Sequence, residues 1–175
     1  MTRQEALTQM PQNEQLLEEA LRLPQWDTLP DFGLYMDQVI VLTENALRGV
    51  LPAGELTKSM VNNYVKVGLI PRPVGKKYDR EHLAMLLMIC ILKQAMSMEE
   101  ISALMNMLCH KDVRQGYEQF LEEVEGLRAA AISGRIDLWL DRADERRQAL
   151  RAGVVAAICT IVARAMIDAW KNREN

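Results

Sequence analysis

Aromatic residues are scarce in this chain, with Phe, Trp and Tyr together making up 5% of its 175 residues. A sheet-rich fold would draw on aromatic and β-branched side chains. The 11 methionines, together with Leu and Ala, favour helices instead. Cysteine is also sparse. Cys90, Cys109 and Cys159 are an odd number at wide spacing, which argues against a disulfide framework and fits a reducing cytoplasm. No Cys-x-x-Cys or His-x-x-x-His spacing is present, so zinc chemistry has no motif to rest on. No hydrophobic run reaches membrane-spanning length either. The best membrane candidate, Ala152–Ala163, has 12 residues between Arg151 and Arg164, short of the roughly 20 that a spanning helix needs. At the N-terminus Arg3 and Glu5 precede a polar segment, with no signal-peptide pattern. A glycine-rich phosphate loop, a nucleophile–base pair and a cofactor fingerprint are all missing, so we expect neither an enzyme nor a cofactor, in a soluble cytoplasmic protein with no membrane partner. Charge of one sign does not dominate. The net value of −3 excludes a bulk polycation, so any nucleic-acid site must be a local patch.

What is present supports a real core, with 49% hydrophobic and 26% charged residues. The expected fold class is all-α, with one minimal hairpin as the only strand-like element. Three prolines, Pro11, Pro24 and Pro30, punctuate an N-terminal arm over residues 1–33, with a short helix at Asn13–Leu21 and Trp26 and Leu29 packing back onto the body. Leu34–Arg48 reads as a helix stopped by Gly49, with Leu34, Val39, Leu42, Ala46 and Leu47 as its apolar stripe. Thr57 or Ser59 caps a helix that ends at Gly68. Asp79 caps a long helix over Arg80–Gln94, and Ser97 with Glu100 forms a capping box opening a helix to about Leu108. Helices at Asp112–Ile132 and about Leu138–Lys171 follow, the second either continuous or kinked near Gly153. These elements divide into the arm, a reader domain over residues 34–110, and a C-terminal helical region over residues 111–175 that packs, dimerises or senses an effector.

The helix after Thr57 carries the chemistry. Lys58, Asn62 and Lys66 lie one above another at i, i+4 spacing, with Ser59 and Asn63 in the adjacent row. Val61, Tyr64 and Val65 occupy the opposite side. Lysine contacts to phosphate set affinity and register, whereas an asparagine amide can pair with adenine in the major groove. From Thr57 to Arg80 six cations, Lys58, Lys66, Arg72, Lys76, Lys77 and Arg80, face Asp79 alone, a local charge of +5 in an acidic chain. A solvated amphipathic helix would show the same face by itself. It is the order of helix, Gly68-Leu69-Ile70-Pro71 turn, basic Gly75 hairpin and long apolar helix that points to double-stranded DNA. The candidate DNA-binding residues are Lys58, Ser59, Asn62, Asn63, Lys66, Arg72, Lys76, Lys77 and Arg80.

Over residues 56–101, Tyr64, Gly68-Leu69-Ile70-Pro71, Gly75-Lys76-Lys77-Tyr78, His82-Leu83 and Ser97-Met98-Glu99-Glu100-Ile101 occur in an order that resembles the MerR family of winged-helix regulators. The resemblance implies a winged helix-turn-helix with a minimal wing, transcription regulation, and dimerisation through a C-terminal helix. This chain has Asn62-Asn63 where that family usually has Arg-Tyr, and Lys76-Lys77 where Tyr-Arg is usual. Leu29-Pro30-Asp31 and Tyr35-Met36-Asp37-Gln38-Val39, followed by the same reader, also resemble a bacterial family known as domain of unknown function 1836, and that likeness extends over most of the chain.

The remaining candidates have plainer readings. Cys109-His110 with His82, Cys90 or Cys159 could ligate a metal, but a cysteine in an apolar helix is usually a small core residue, so no metal is expected. Glu122, Glu123 and Glu125 read as a solvated helix surface, with Glu125–Arg128 and Asp144–Arg147 as ordinary i, i+3 pairs. Leu83–Leu92, apolar all round, reads as a buried central helix. Val154, Val155, Ile158, Ile161, Val162, Ala165 and Met166 form a face that serves either the internal core or a homodimer. The expectation is a sequence-specific DNA-binding transcriptional regulator. The alternative is a non-catalytic helical protein-interaction module that has lost DNA binding.

Overall fold

The structure, a computed structural model, describes residues 22–48, 51, 54, 56–132 and 144–174. The expected helix at Asn13–Leu21 and the stop at Gly49 lie outside them. Among the described residues there are six α-helices, one 3-10 turn and no strand. The helices are α1 (Met36–Ala46), α2 (Lys58–Lys66), α3 (Arg80–Leu92), α4 (Met98–Cys109), α5 (Val113–Ile132) and α6 (Glu145–Glu174), and the 3-10 turn is Trp26–Thr28. The chain is all-α. None of these helices is long and apolar enough to cross a membrane.

Local sequence explains most helix starts. The Thr57 side chain accepts from the Met60 amide at the head of α2. Asp79 accepts from the His82 amide at the head of α3, and Ser97 and Glu100 exchange bonds at the head of α4. Each satisfies amides that a first helical turn leaves without an intrahelical partner. At the end of α2, Gly68 takes φ +75 while the Leu69 amide reaches the Tyr64 carbonyl and the Gly68 amide reaches that of Val65. This is a Schellman closure, which favours glycine because a Cβ is strained at positive φ.

Helix α1 is shorter than the apolar stripe implied. It starts at Met36, where the Gln38 side chain accepts from the Tyr35 amide, and it ends at Ala46. Leu34 is extended and pairs with Tyr78 through two backbone bonds, Leu34 N–H to Tyr78 O at 2.7 Å and Tyr78 N–H to Leu34 O at 2.8 Å. Its burial serves that pairing, not a helix face. Helix α3 stops at Leu92, two residues before the expected Gln94. Helix α6 runs unbroken through Gly153.

One hydrophobic cluster extends from Leu23 to Ile161. Helix α3 is its axis, with His82 through Leu92 all buried and α1, α5 and α6 packed around it. Burying one Leu, Ile or Met side chain stabilises by about 1.5–3 kcal/mol, and among the described residues no other helix buries as many apolar side chains as this run. Leu150, Val154, Ala157, Ile158 and Ile161 of α6 are buried in the same cluster. The arm joins it too: Leu23 and Leu29 are buried, Trp26 packs against Tyr117 at 6.2 Å between ring centroids, and the Tyr117 hydroxyl donates to the Pro24 carbonyl.

Candidate nucleic-acid interface

Helix α2 separates its faces as the sequence demands. Val61 and Tyr64 are buried and Val65 is half-buried, whereas Lys58, Ser59, Asn62, Asn63 and Lys66 are all exposed. At about 100° per residue, Ser59 and Lys66 mark the centre of the exposed arc, and Asn62 and Asn63 flank it. Lys58 lies towards one edge, where it forms an ion pair with Asp37 of α1.

The Schellman turn leads to the hairpin. Gly75 and Lys76 both have positive φ, +57 and +64, and the Lys77 amide donates to the Val74 carbonyl at 3.0 Å. Two positive-φ residues between an antiparallel pair mark a type I′ turn. The arms are single bridges, Val74 with Lys77 and Leu34 with Tyr78, and not strands. The hairpin is thus minimal, pinned through Leu34 to the start of α1. Tyr78 is buried beneath it and meets His82 edge-on at 5.3 Å, and burial pushes its phenol above the ordinary value. Tyr64 is buried as well, so both tyrosines brace the motif from inside.

His82 ties the parts together. Its Nδ1 lies 2.6 Å from Asp79 Oδ1 and its Nε2 lies 3.2 Å from the Pro71 carbonyl, linking the head of α3 to the turn after α2. The Asp79 carboxyl is desolvated, which raises its pKa. Hydrogen bonds from His82 outweigh that cost and hold it below the usual carboxylate range.

The candidate residues do not all stand alike. Lys66, Arg72 and Lys76 are exposed and carry no ion pair among the described residues. Lys77 is exposed, with Nζ 5.7 Å from the Tyr35 ring centroid. Lys58 is held by Asp37. Arg80 departs most from the open phosphate-binding role its charge implied. Its side chain is 22% exposed, lies 5.8 Å over the Trp26 ring and pairs with Asp31 at 3.8 Å. The arm covers it, which makes it a brace between the arm and the head of α3. Three exposed apolar side chains near the hairpin were not foreseen: Val74 at its tip (85% exposed), Phe32 (63%) and Tyr35 (58%). No sequence period marks them, because they follow from the bridge register.

The acidic run is a solvated surface at Glu122 and Glu125 and departs from one at Glu123. Glu125 pairs with Arg128 as expected. Glu123, in contrast, is buried and is held by Arg147 Nε and Arg151 Nε, each at 2.7 Å. Arg147 also reaches Glu122 at 3.0 Å, while Asp144 bonds the amides of Arg146 and Arg147 at the head of α6 instead of pairing with the Arg147 side chain. These pairs bolt α5 to α6. Among the described residues no group of three His, Cys, Asp or Glu side chains could hold a metal ion. Cys90 and Cys109 are buried and Cys159 is exposed. The Cys109 thiol is pushed up to about 12 by burial and by the charges of Asp112 and Glu81.

One protein family, described as a domain of unknown function, DUF1836, matches residues 24–123, more than half of the chain. The chain belongs to the DUF1836 family. The DUF1836 match begins at Pro24, takes in the Trp26 turn and α1 to α4, and ends at Glu123, the carboxylate clamped by α6. No curated protein and no solved structure matches the chain.

Proposed function

We propose that this DUF1836 protein is a sequence-specific DNA-binding transcriptional regulator that reads duplex DNA with a MerR-like winged helix. The observation that carries the reading is a nine-residue helix, α2, with an exposed face of amides, a hydroxyl and lysines on a buried apolar underside. It is followed by a two-residue-turn hairpin bearing Lys76 and Lys77. In this reading α2 enters the major groove, where an α-helix fits and base edges are distinct. Lys66, Arg72, Lys76 and Lys77 contact phosphates and fix register. Tyr64 and Tyr78 are buried beneath the two parts, and Arg80 braces the arm. Two copies would serve a palindromic site; α6, whose Ile167 is exposed, is the element we assign to that contact.

A second reading is a protein-interaction module that keeps this fold without DNA. The exposed Val74, Phe32 and Tyr35 beside Lys77 favour it, since apolar side chains near cations also suit an acidic protein surface. Replacing Lys76 and Lys77 together by Glu distinguishes the two. A DNA reader loses retention of a duplex pool while its helical circular dichroism is unchanged. An adaptor shows no DNA retention before or after the change, and one defined protein partner co-purifies with it.

A further inference from the structure

The exposed arc of α2 also bears on which bases are read. Its members are Lys58, Ser59, Asn62, Asn63 and Lys66, with the exposed Val67 just after the helix. The arc holds no arginine, the side chain that most often reads guanine, and no carboxylate, the group that accepts from cytosine. The two side chains with a bidentate base-reading geometry are Asn62 and Asn63, and an Asn amide matches the N6 donor and N7 acceptor of adenine. Of the two lysines, Lys58 is paired with Asp37, and Lys66 stands at the last position of the helix, away from the N-terminal turns that reach base edges in helix-turn-helix readers. Successive residues on a helix point about 100° apart, so Asn62 and Asn63 lie on opposite sides of the centre of the arc and address two different base pairs. Val67 adds an apolar surface suited to a thymine methyl.

From this we infer that Asn62 and Asn63 determine specificity, recognising two A·T pairs through the adenine major-groove edge. The inference rests on the DNA-reading function proposed above and adds the base class to it. Each correct bidentate contact discriminates against the wrong base by roughly 5- to 150-fold.

The test is selection from a random duplex pool with the full chain and with Asn62→Ala and Asn63→Ala, whose exposed sites leave the fold intact by circular dichroism. The expected result is a motif containing two A·T pairs, with each alanine variant relaxing preference at one of them and keeping the salt dependence unchanged. As a second measurement that leaves the protein untouched, 7-deazaadenine, which lacks the N7 acceptor, is placed at those positions and lowers affinity by roughly fivefold or more. A G·C-centred motif, an A·T preference that survives both variants, or no response to 7-deazaadenine overturns this inference and leaves DNA reading standing. Absence of any retained duplex overturns both.

Discussion

Asp37 is the most informative residue to change. Its carboxylate pairs with Lys58, and both side chains are well exposed, at 72% and 64%. An exposed pair contributes about 0–1 kcal/mol to stability, and an acid in the first turn of a helix adds about 0.3–1 kcal/mol through the helix dipole. Asp37→Asn therefore costs the fold at most about 2 kcal/mol. On the proposed duplex binding the expected effect is opposite in sign. If Asp37 keeps Lys58 from a phosphate, the variant gains one contact, and log K against log salt steepens by about 0.9. Extrapolated from 1 M salt, that one contact strengthens binding about 15-fold at 50 mM and about fourfold at 200 mM. The assay is fluorescence anisotropy of a labelled duplex across that range, with thermal melting as the control for folding. An unchanged slope would refute the reasoning, since Lys58 would then either reach DNA already or never reach it.

Three further outcomes are expected. Glu123→Ala leaves Arg147 and Arg151 without their shared partner; because Glu123 is 6% exposed but the arginines are 49% and 31% exposed, the loss falls at about 1–3 kcal/mol, between an exposed and a buried pair, read by urea melting. Burial raises the Glu123 carboxyl, but hydrogen bonds and charge from Arg151 and Arg147 bring it below its ordinary value, so its stabilisation is full above the unfolded carboxylate value and fades as pH falls through the folded one, a fade absent from melts of the alanine variant. Gly75→Val, at φ +57 with open space around the missing Cβ, meets no clash yet costs about 1–2 kcal/mol in backbone strain, and weakens duplex binding more than it lowers the melting temperature. With a disulfide reagent at pH 8, the native protein reacts quickly at Cys159 alone and slowly at the buried Cys90 and Cys109, whereas the unfolded chain reacts at all three; fast native reaction at Cys109 would contradict its packing.

Much of this architecture is legible in local sequence because the deciding interactions are local. Thr57, Asp79 and Ser97 cap helices through bonds three residues away, and Gly68 closes α2 within five residues. The apolar run of α3 announces burial on every side. What stays hidden depends on residues far apart in the chain. Leu34 fits a helical stripe, yet its partner is Tyr78 across the hairpin. Arg80 looks like one more phosphate cation until Trp26 and Asp31 of the arm cover it. Glu123 resembles its solvated neighbours until α6 brings two guanidinium groups to it. The candidate site divides in the same way. The exposed face of α2 follows from helical period, whereas the restraint of Lys58 by Asp37 and the exposure of Val74 and Tyr35 follow from tertiary placement.

The central claim, that this chain reads duplex DNA through α2 and the basic hairpin, is tested most directly by equilibrium binding of the purified protein to a random-sequence duplex pool at about 50 and 200 mM salt. With Lys66, Arg72, Lys76 and Lys77 on phosphates, affinity falls by about a hundredfold between those conditions, and repeated selection enriches one motif. Absence of retention at the lower salt, or an affinity indifferent to salt, would contradict the claim and leave the protein-interaction reading in its place.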